Sequence, residues 1–162
     1  MCVDQLPPCE IHMLAMNEEA RLWFRALPER VRDLCTTDER IPRSELLTRM
    51  GRARVMLAPS LVDGTPNSLF EAMAAGAFPI VSPLESIRPL VDHGRTTLFA
   101  RNLHPQEIAA ALVRSMSDDG LVDDAVAPNL ETVLERADRI RIAPRVVELY
   151  ESLAAERGPG RN

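Results

Sequence analysis

The sequence predicts an α/β fold: a doubly wound parallel sheet of about five strands, flanked by helices. Three observations carry this prediction. Val55–Ala58 and Phe78–Val81 are short apolar runs without polar alternation, the mark of parallel strands buried on both faces. Between them lies a helical pattern that begins just beyond the end of the first run, which makes a β-α-β unit. Further apolar runs alternate with helical patterns on either side of that unit.

Taken in order, Met1 to Pro8 reads as a frayed segment ahead of a strand at Glu10 to Ala15. Asn17 caps a helix reaching Leu27, with Glu18 and Glu19 in the first turn as the helix dipole prefers, and Pro28 closes it. Val31 to Cys35 is expected as a second strand, and Thr36 to Pro42 as the loop at its end. A helix from Pro42 or Ser44 to Met50 turns Leu46, Leu47 and Met50 inward. The central unit follows. Its strand ends at Pro59, and Thr65-Pro66 is a helix start, with a hydroxyl cap and proline at the first helical position. Leu69, Phe70, Met73 and Ala74 face the sheet, Glu71 points elsewhere, and Gly76 stops the helix. Beyond Val81, Pro83 to Asp92 is a turn and short helix, His93-Gly94 a turn, and Thr97 to Ala100 the last strand. Pro105 opens a helix with Ile108, Leu112, Val113 and Met116 inward, stopped at Asp118-Asp119-Gly120. Helices from about Asn129 to Ala137 and from Pro144 to about Ala155 complete a single domain over 1–157, with 158–162 as a tail.

The central helix start has chemical meaning. The N–H groups of Asn67, Ser68 and Leu69 are expected to lack helical partners, and the dipole places partial positive charge beside them. A phosphate is the natural guest. Asp63 and Glu71 bracket this socket, and carboxylates accept hydrogen bonds from sugar or ribose hydroxyls. A phosphate socket between two such carboxylates suits a nucleotide-sugar.

These residues also carry a resemblance. Asp63-x7-Glu71, followed by Ala72-Met73-Ala74-Ala75-Gly76 and Pro79-Ile80-Val81, resembles the Glu-x7-Glu signature of the group 1 retaining glycosyltransferases with the GT-B fold. Asp-Gly-Thr-Pro-Asn-Ser-Leu over 63–69 is similar to a subset in which aspartate replaces the first glutamate. The resemblance covers roughly residues 10 to 155 and is most specific at 58 to 81. It implies a Rossmann-like domain, the C-terminal, donor-binding half of a transferase that retains configuration. Asp63 would contact donor-sugar hydroxyls and Glu71 the ribose. Gly64, Thr65, Asn67, Ser68 and Leu69 would line the phosphate socket, Arg40 and Ile41 the base pocket, and Glu85 the rim. The donor would be a UDP-, GDP- or ADP-sugar, with no metal or other cofactor. The partner would be an N-terminal acceptor-binding domain or subunit. In the family, a further strand with a basic phosphate-gripping pair precedes the portion matched here, at the centre of the sheet. Closing the gap it leaves gives the strand order 2-1-3-4-5. The chain departs from the usual Asn-Gly at Thr96 and Thr97. An isolated chain of this kind is expected to be inactive, and the alternative function is a non-catalytic nucleotide-binding or interaction module derived from the fold.

Bulk properties exclude several other classes. The formal net charge of -5 with no basic block argues against a nucleic-acid partner. All 19 basic residues are arginine, which removes any lysine-based chemistry. Cys2, Cys9 and Cys35 are odd in number and read as reduced thiols of a cytoplasmic protein. No apolar run is long enough to span a membrane. His12, His93 and His104 lack metal-ligand spacing, and His12 is expected in the core. Asp118-Asp119 and Asp123-Asp124 read as a solvated turn. Ser60 and Ser68 have no visible His/Asp partners for a hydrolase triad.

Overall fold

The computed structural model describes residues 2–157, so the expected tail at 158–162 lies outside the described residues. The fold is α/β and Rossmann-like. Five parallel strands, β1 (Ile11–Leu14), β2 (Cys35–Asp38), β3 (Val55–Ala58), β4 (Phe78–Val81) and β5 (Leu98–Phe99), alternate with helices. The helices are α1 (Glu18–Arg25), α2 (Glu29–Arg32), α3 (Arg43–Met50), α4 (Asn67–Ala75), α5 (Pro105–Ser117), α6 (Asp119–Arg136) and α7 (Arg139–Arg157).

The strands do not close into one sheet. β1 pairs with β2, while β3, β4 and β5 form a separate sheet in that order. The expected order 2-1-3-4-5 therefore fails at a single place, between β1 and β3. β3 is therefore an edge rather than a buried strand, and Leu57 is 43% exposed.

The core lies around β4, which is buried along its whole length. Phe78 and Ile80 pack with Leu98, Ala111, Val122 and Ala125 toward α5 and α6, whereas Val81 packs with Leu69, Met73, Ile87 and Val91 on the α4 side. Gly76 ends α4 in the left-handed region at φ 84°, and the Ala77 N–H returns to the Ala72 carbonyl at 3.0 Å. That geometry needs glycine. By contrast, Val31 is the only buried residue among the described residues ahead of Leu69.

Several local expectations are corrected. Residues Cys2–Gln5 form a 3-10 turn that contacts α5, with Asp4 ion-paired to Arg30, rather than a frayed segment. Pro28 does not merely close α1. It starts α2, which includes Val31, so the second strand begins only at Cys35 and takes in Thr36 and Thr37. Ala74 is exposed, and Ala72 takes the inward place on α4. His12 lies at the surface, 3.6 Å from Glu10. The last strand is shorter than expected, Leu98–Phe99, and the Thr97 hydroxyl beside it donates to the Pro79 carbonyl at 2.7 Å. Asp118 is the cap of α6, accepting from the Leu121 N–H at 3.0 Å, and Asp123 and Asp124 ride its exposed face. Both α6 and α7 run straight through a proline, Pro128 and Pro144.

One surface pair has a measurable signature. The Arg101 guanidinium and backbone N–H both donate to Glu107, which holds its carboxyl down at about 2. A depressed carboxyl contributes stability above its unfolded value, and that contribution is lost as pH falls toward the folded one. Arg101→Ala removes the guanidinium and keeps the backbone N–H, so the Glu107 midpoint should rise toward the free range, about 4.3, without reaching it. A carbon-detected NMR titration reads this directly; an unchanged midpoint would refute the pairing.

Candidate functional site

The polar residues singled out by the sequence gather at the carboxyl ends of the strands, where open α/β sheets bind ligands. β3 ends at Ala58, and the chain crosses Ser60–Pro66 before α4 begins at Asn67. Two side chains from other loops fix this crossing. Asn102, beyond β5, donates its amide to the Pro59 carbonyl at 2.7 Å. Ser86, beyond β4, donates its hydroxyl to the Asp63 carbonyl at 3.0 Å. The second bond places the segment carrying Glu85 against the segment carrying Asp63.

Asp63 and Glu85 are both exposed, and no described residue hydrogen-bonds to either carboxylate. An added Cβ at Gly64 would meet nothing within 4 Å, and its φ is not left-handed. The fold itself does not require glycine there. Thr65 is exposed and does not cap the helix; Pro66 occupies the cap position without any side-chain bond. This differs from the expected Thr65 cap because α4 starts one residue later than the Thr-Pro signal suggests.

The helix start offers fewer donors than expected. The Leu69 N–H donates to the Pro66 carbonyl at 3.1 Å, and the Leu69 side chain is fully buried in the core. The Leu69 N–H is thus engaged within the opening turn of α4. The Asn67 and Ser68 N–H groups have no bond to any described residue, and Asn67 is exposed. Two amides, at the positive end of a helix dipole, form the open donor set.

Glu71 follows on α4, its side chain 18% exposed and gripped by Arg43 from the start of α3. Arg43 Nε donates to Glu71 Oε1 at 2.9 Å, and Nη2 lies 2.8 Å from the same oxygen. Arg40, exposed, and Ile41, half-buried, stand on the short segment between β2 and α3. They lead into α3, whose Arg43 reaches Glu71, and among the described residues no hydrogen bond or ion pair joins them to Asp63 or Glu71. Asp38, at the end of β2, pairs with Arg49 and ties this segment down. Sequence reasoning missed Arg43, Ser86 and Asn102. Their roles depend on which loops meet across the sheet, and no spacing within one segment reveals that.

Fold and site together define a Rossmann-like α/β domain with an anion-attracting helix start between two carboxylates. The chain belongs to the glycosyl transferases group 1 family, whose model matches residues 12–118. A comparison with curated sequences finds no match. Among solved structures, sucrose-phosphate synthase (tll1590) from Thermosynechococcus elongatus matches at TM-score 0.84 and 21% identity, over 96% of this chain and 41% of that one. HepE (Alr3699) from Anabaena, in complex with UDP and glucose, matches at 0.77 and 15% identity, over 93% of this chain and 43% of that one. The pneumococcal O-GlcNAc transferase GtfA, in complex with UDP and GlcNAc, matches at 0.70 and 14% identity, over 89% of this chain and 29% of that one. At these identities the likeness is one of fold. The chain spans about two-fifths of the length of the first two structures. No helix among the described residues is long and apolar enough to cross a membrane.

Proposed function

We propose that the chain is the donor-binding, C-terminal half of a GT-B glycosyltransferase that transfers a sugar from a nucleotide-diphosphate sugar with retention of configuration. The observation that carries this reading is the start of α4. It sets the open amides of Asn67 and Ser68 between the Asp63 and Glu71 carboxylates. The amides and the dipole suit the diphosphate. Glu71 is assigned to the ribose, Asp63 to hydroxyls of the donor sugar, Arg40 and Ile41 to the base, and Glu85 to the rim. The bare backbone at Gly64 leaves room for the ligand against the loop. As the glycosidic bond breaks, negative charge grows on the leaving diphosphate, and a preorganised helix start steadies it without reorganisation. A domain or subunit facing this cleft supplies the acceptor.

Isothermal titration with UDP-, GDP- and ADP-sugars tests the reading; binding to none of them by the chain together with its acceptor-side partner would sink it. Glu71→Ala should weaken nucleoside-diphosphate binding by about 1–3 kcal/mol, the usual loss for a charged hydrogen bond. Asp63→Ala should lower turnover of the complete enzyme more than it lowers nucleoside-diphosphate affinity. Equal losses of nucleoside-diphosphate affinity in the two variants would contradict this division of roles.

A further inference from the structure

We infer that Arg43 is a positioning residue for the ribose of the bound nucleotide, acting through Glu71; the inference rests on the donor-binding reading above. The described ion pairs include Arg30 with Asp4, Arg49 with Asp38 and Glu45, Arg54 with Asp119, and Arg101 with Glu107. None of those acidic partners belongs to the candidate site. The Arg43–Glu71 pair does, and its geometry is one-sided. Both guanidinium contacts, at 2.9 and 2.8 Å, fall on Oε1. An ionised carboxylate has about four acceptor sites over its two oxygens. With Oε1 engaged, Oε2 is left to accept from a ligand hydroxyl, and its direction is set by the fork that holds its twin.

Burial argues that the pair serves more than the fold. The Arg43 side chain is 74% exposed, whereas Glu71 is 18% exposed. Exposed ion pairs contribute little to stability, so an arginine lying open on the first turn of α3 is poorly explained as a strut. Its effect falls on Glu71 instead. A half-buried carboxylate without a partner turns to whatever donor it can reach, and the open amides at the start of its own helix lie about one turn away. Arg43 prevents that turn. It also offsets one of three carboxylates, Asp63, Glu71 and Glu85, that would otherwise repel an incoming diphosphate. Because Arg43 opens the helix that follows Arg40 and Ile41, the same contact joins the expected base segment to the ribose acceptor.

The test is the preference for ribose over its hydroxyl-free counterpart, read by amide NMR titration of the 162-residue chain. The probes are UDP, GDP and ADP, each against its 2′,3′-dideoxy analogue. The wild-type chain should prefer the ribonucleotide by about tenfold or more, the scale of one charged hydrogen bond. Glu71→Ala should abolish that preference. Arg43→Ala should remove most of it while the spectrum stays dispersed, and Arg43→Lys, whose ammonium can still hold Oε1, should recover a large part. If Arg43→Ala weakens both nucleotides alike and keeps the wild-type preference, the residue acts only as a general positive charge and the inference fails. If it alters neither, Arg43 is a surface residue and the inference fails too. In both cases the donor-binding reading survives. If neither the wild-type chain nor the chain together with its acceptor-side partner binds any of the nucleotides, that reading and this inference fall together.

Discussion

The 162-residue chain on its own is expected to transfer no sugar. Transfer requires an acceptor hydroxyl held against the anomeric carbon, and orienting two substrates accounts for about 7–11 kcal/mol of such a barrier. The site built on α4 is open, with Asp63 and Glu85 exposed. An open site neither places an acceptor nor shuts out water. The loss corresponds to a rate lower by about five orders of magnitude or more. A radiolabelled-donor assay on the purified chain, supplied with the acceptors of a cell extract but no partner domain, measures it. Robust transfer that disappears in Glu71→Ala would mean that this chain carries an acceptor site of its own.

Phe78→Ala should be the most damaging single truncation in the core, at about 3–5 kcal/mol. Phe78 is 1% exposed at the start of β4 and touches the layer formed by Ile80, Leu98, Ala111, Val122 and Ala125. Removing the ring opens a cavity between the sheet and two helices that cannot both move inward. Against a total stability of about 5–15 kcal/mol, such a loss is a large share. Urea unfolding should show the midpoint falling by at least about 1 M at unchanged slope. A loss below about 1 kcal/mol would show that α5 and α6 collapse into the space.

The legible parts of this fold were those where local chemistry and tertiary packing agree. Phe78–Val81 is an uninterrupted apolar run because it is buried on both faces, and Gly76 marks the end of α4 because its φ is left-handed. Prolines misled where packing overrides their local cost. Pro128 breaks no helix because Val122 and Ala125 anchor α6 before it and the buried Asn129 anchors it after, donating to the Thr96 carbonyl at 3.0 Å. Pro28 was ambiguous for the opposite reason, since a residue that closes one helix can equally start the next. At the candidate site, the carboxylates and the helix start were readable from one continuous segment. The commitment of the Leu69 N–H to Pro66, and the arrival of Arg43 from 28 residues away, were not. The first depends on where the opening turn begins, and the second on how α3 lies against α4.

The split between the two sheets gives the ligand a mechanical task. Asp63, Asn67, Ser68 and Glu71 stand on the segment that packs, through Leu69 and Met73, against the well-buried β4 layer. Arg40 and Ile41 stand on the other piece, where, among the described residues, β1 and β2 have only each other as strand partners and Val31 is the sole buried residue. Regions with so few buried contacts open locally at low free-energy cost. A nucleotide spanning both pieces would be seized at its phosphates by a stiff jaw and at its base by a compliant one. Part of its binding energy would be spent as entropy, in stilling the softer jaw. Any polypeptide that rests on the free edges of β1 and β3 would remove that penalty in advance, and so tighten the grip on a ligand it never touches.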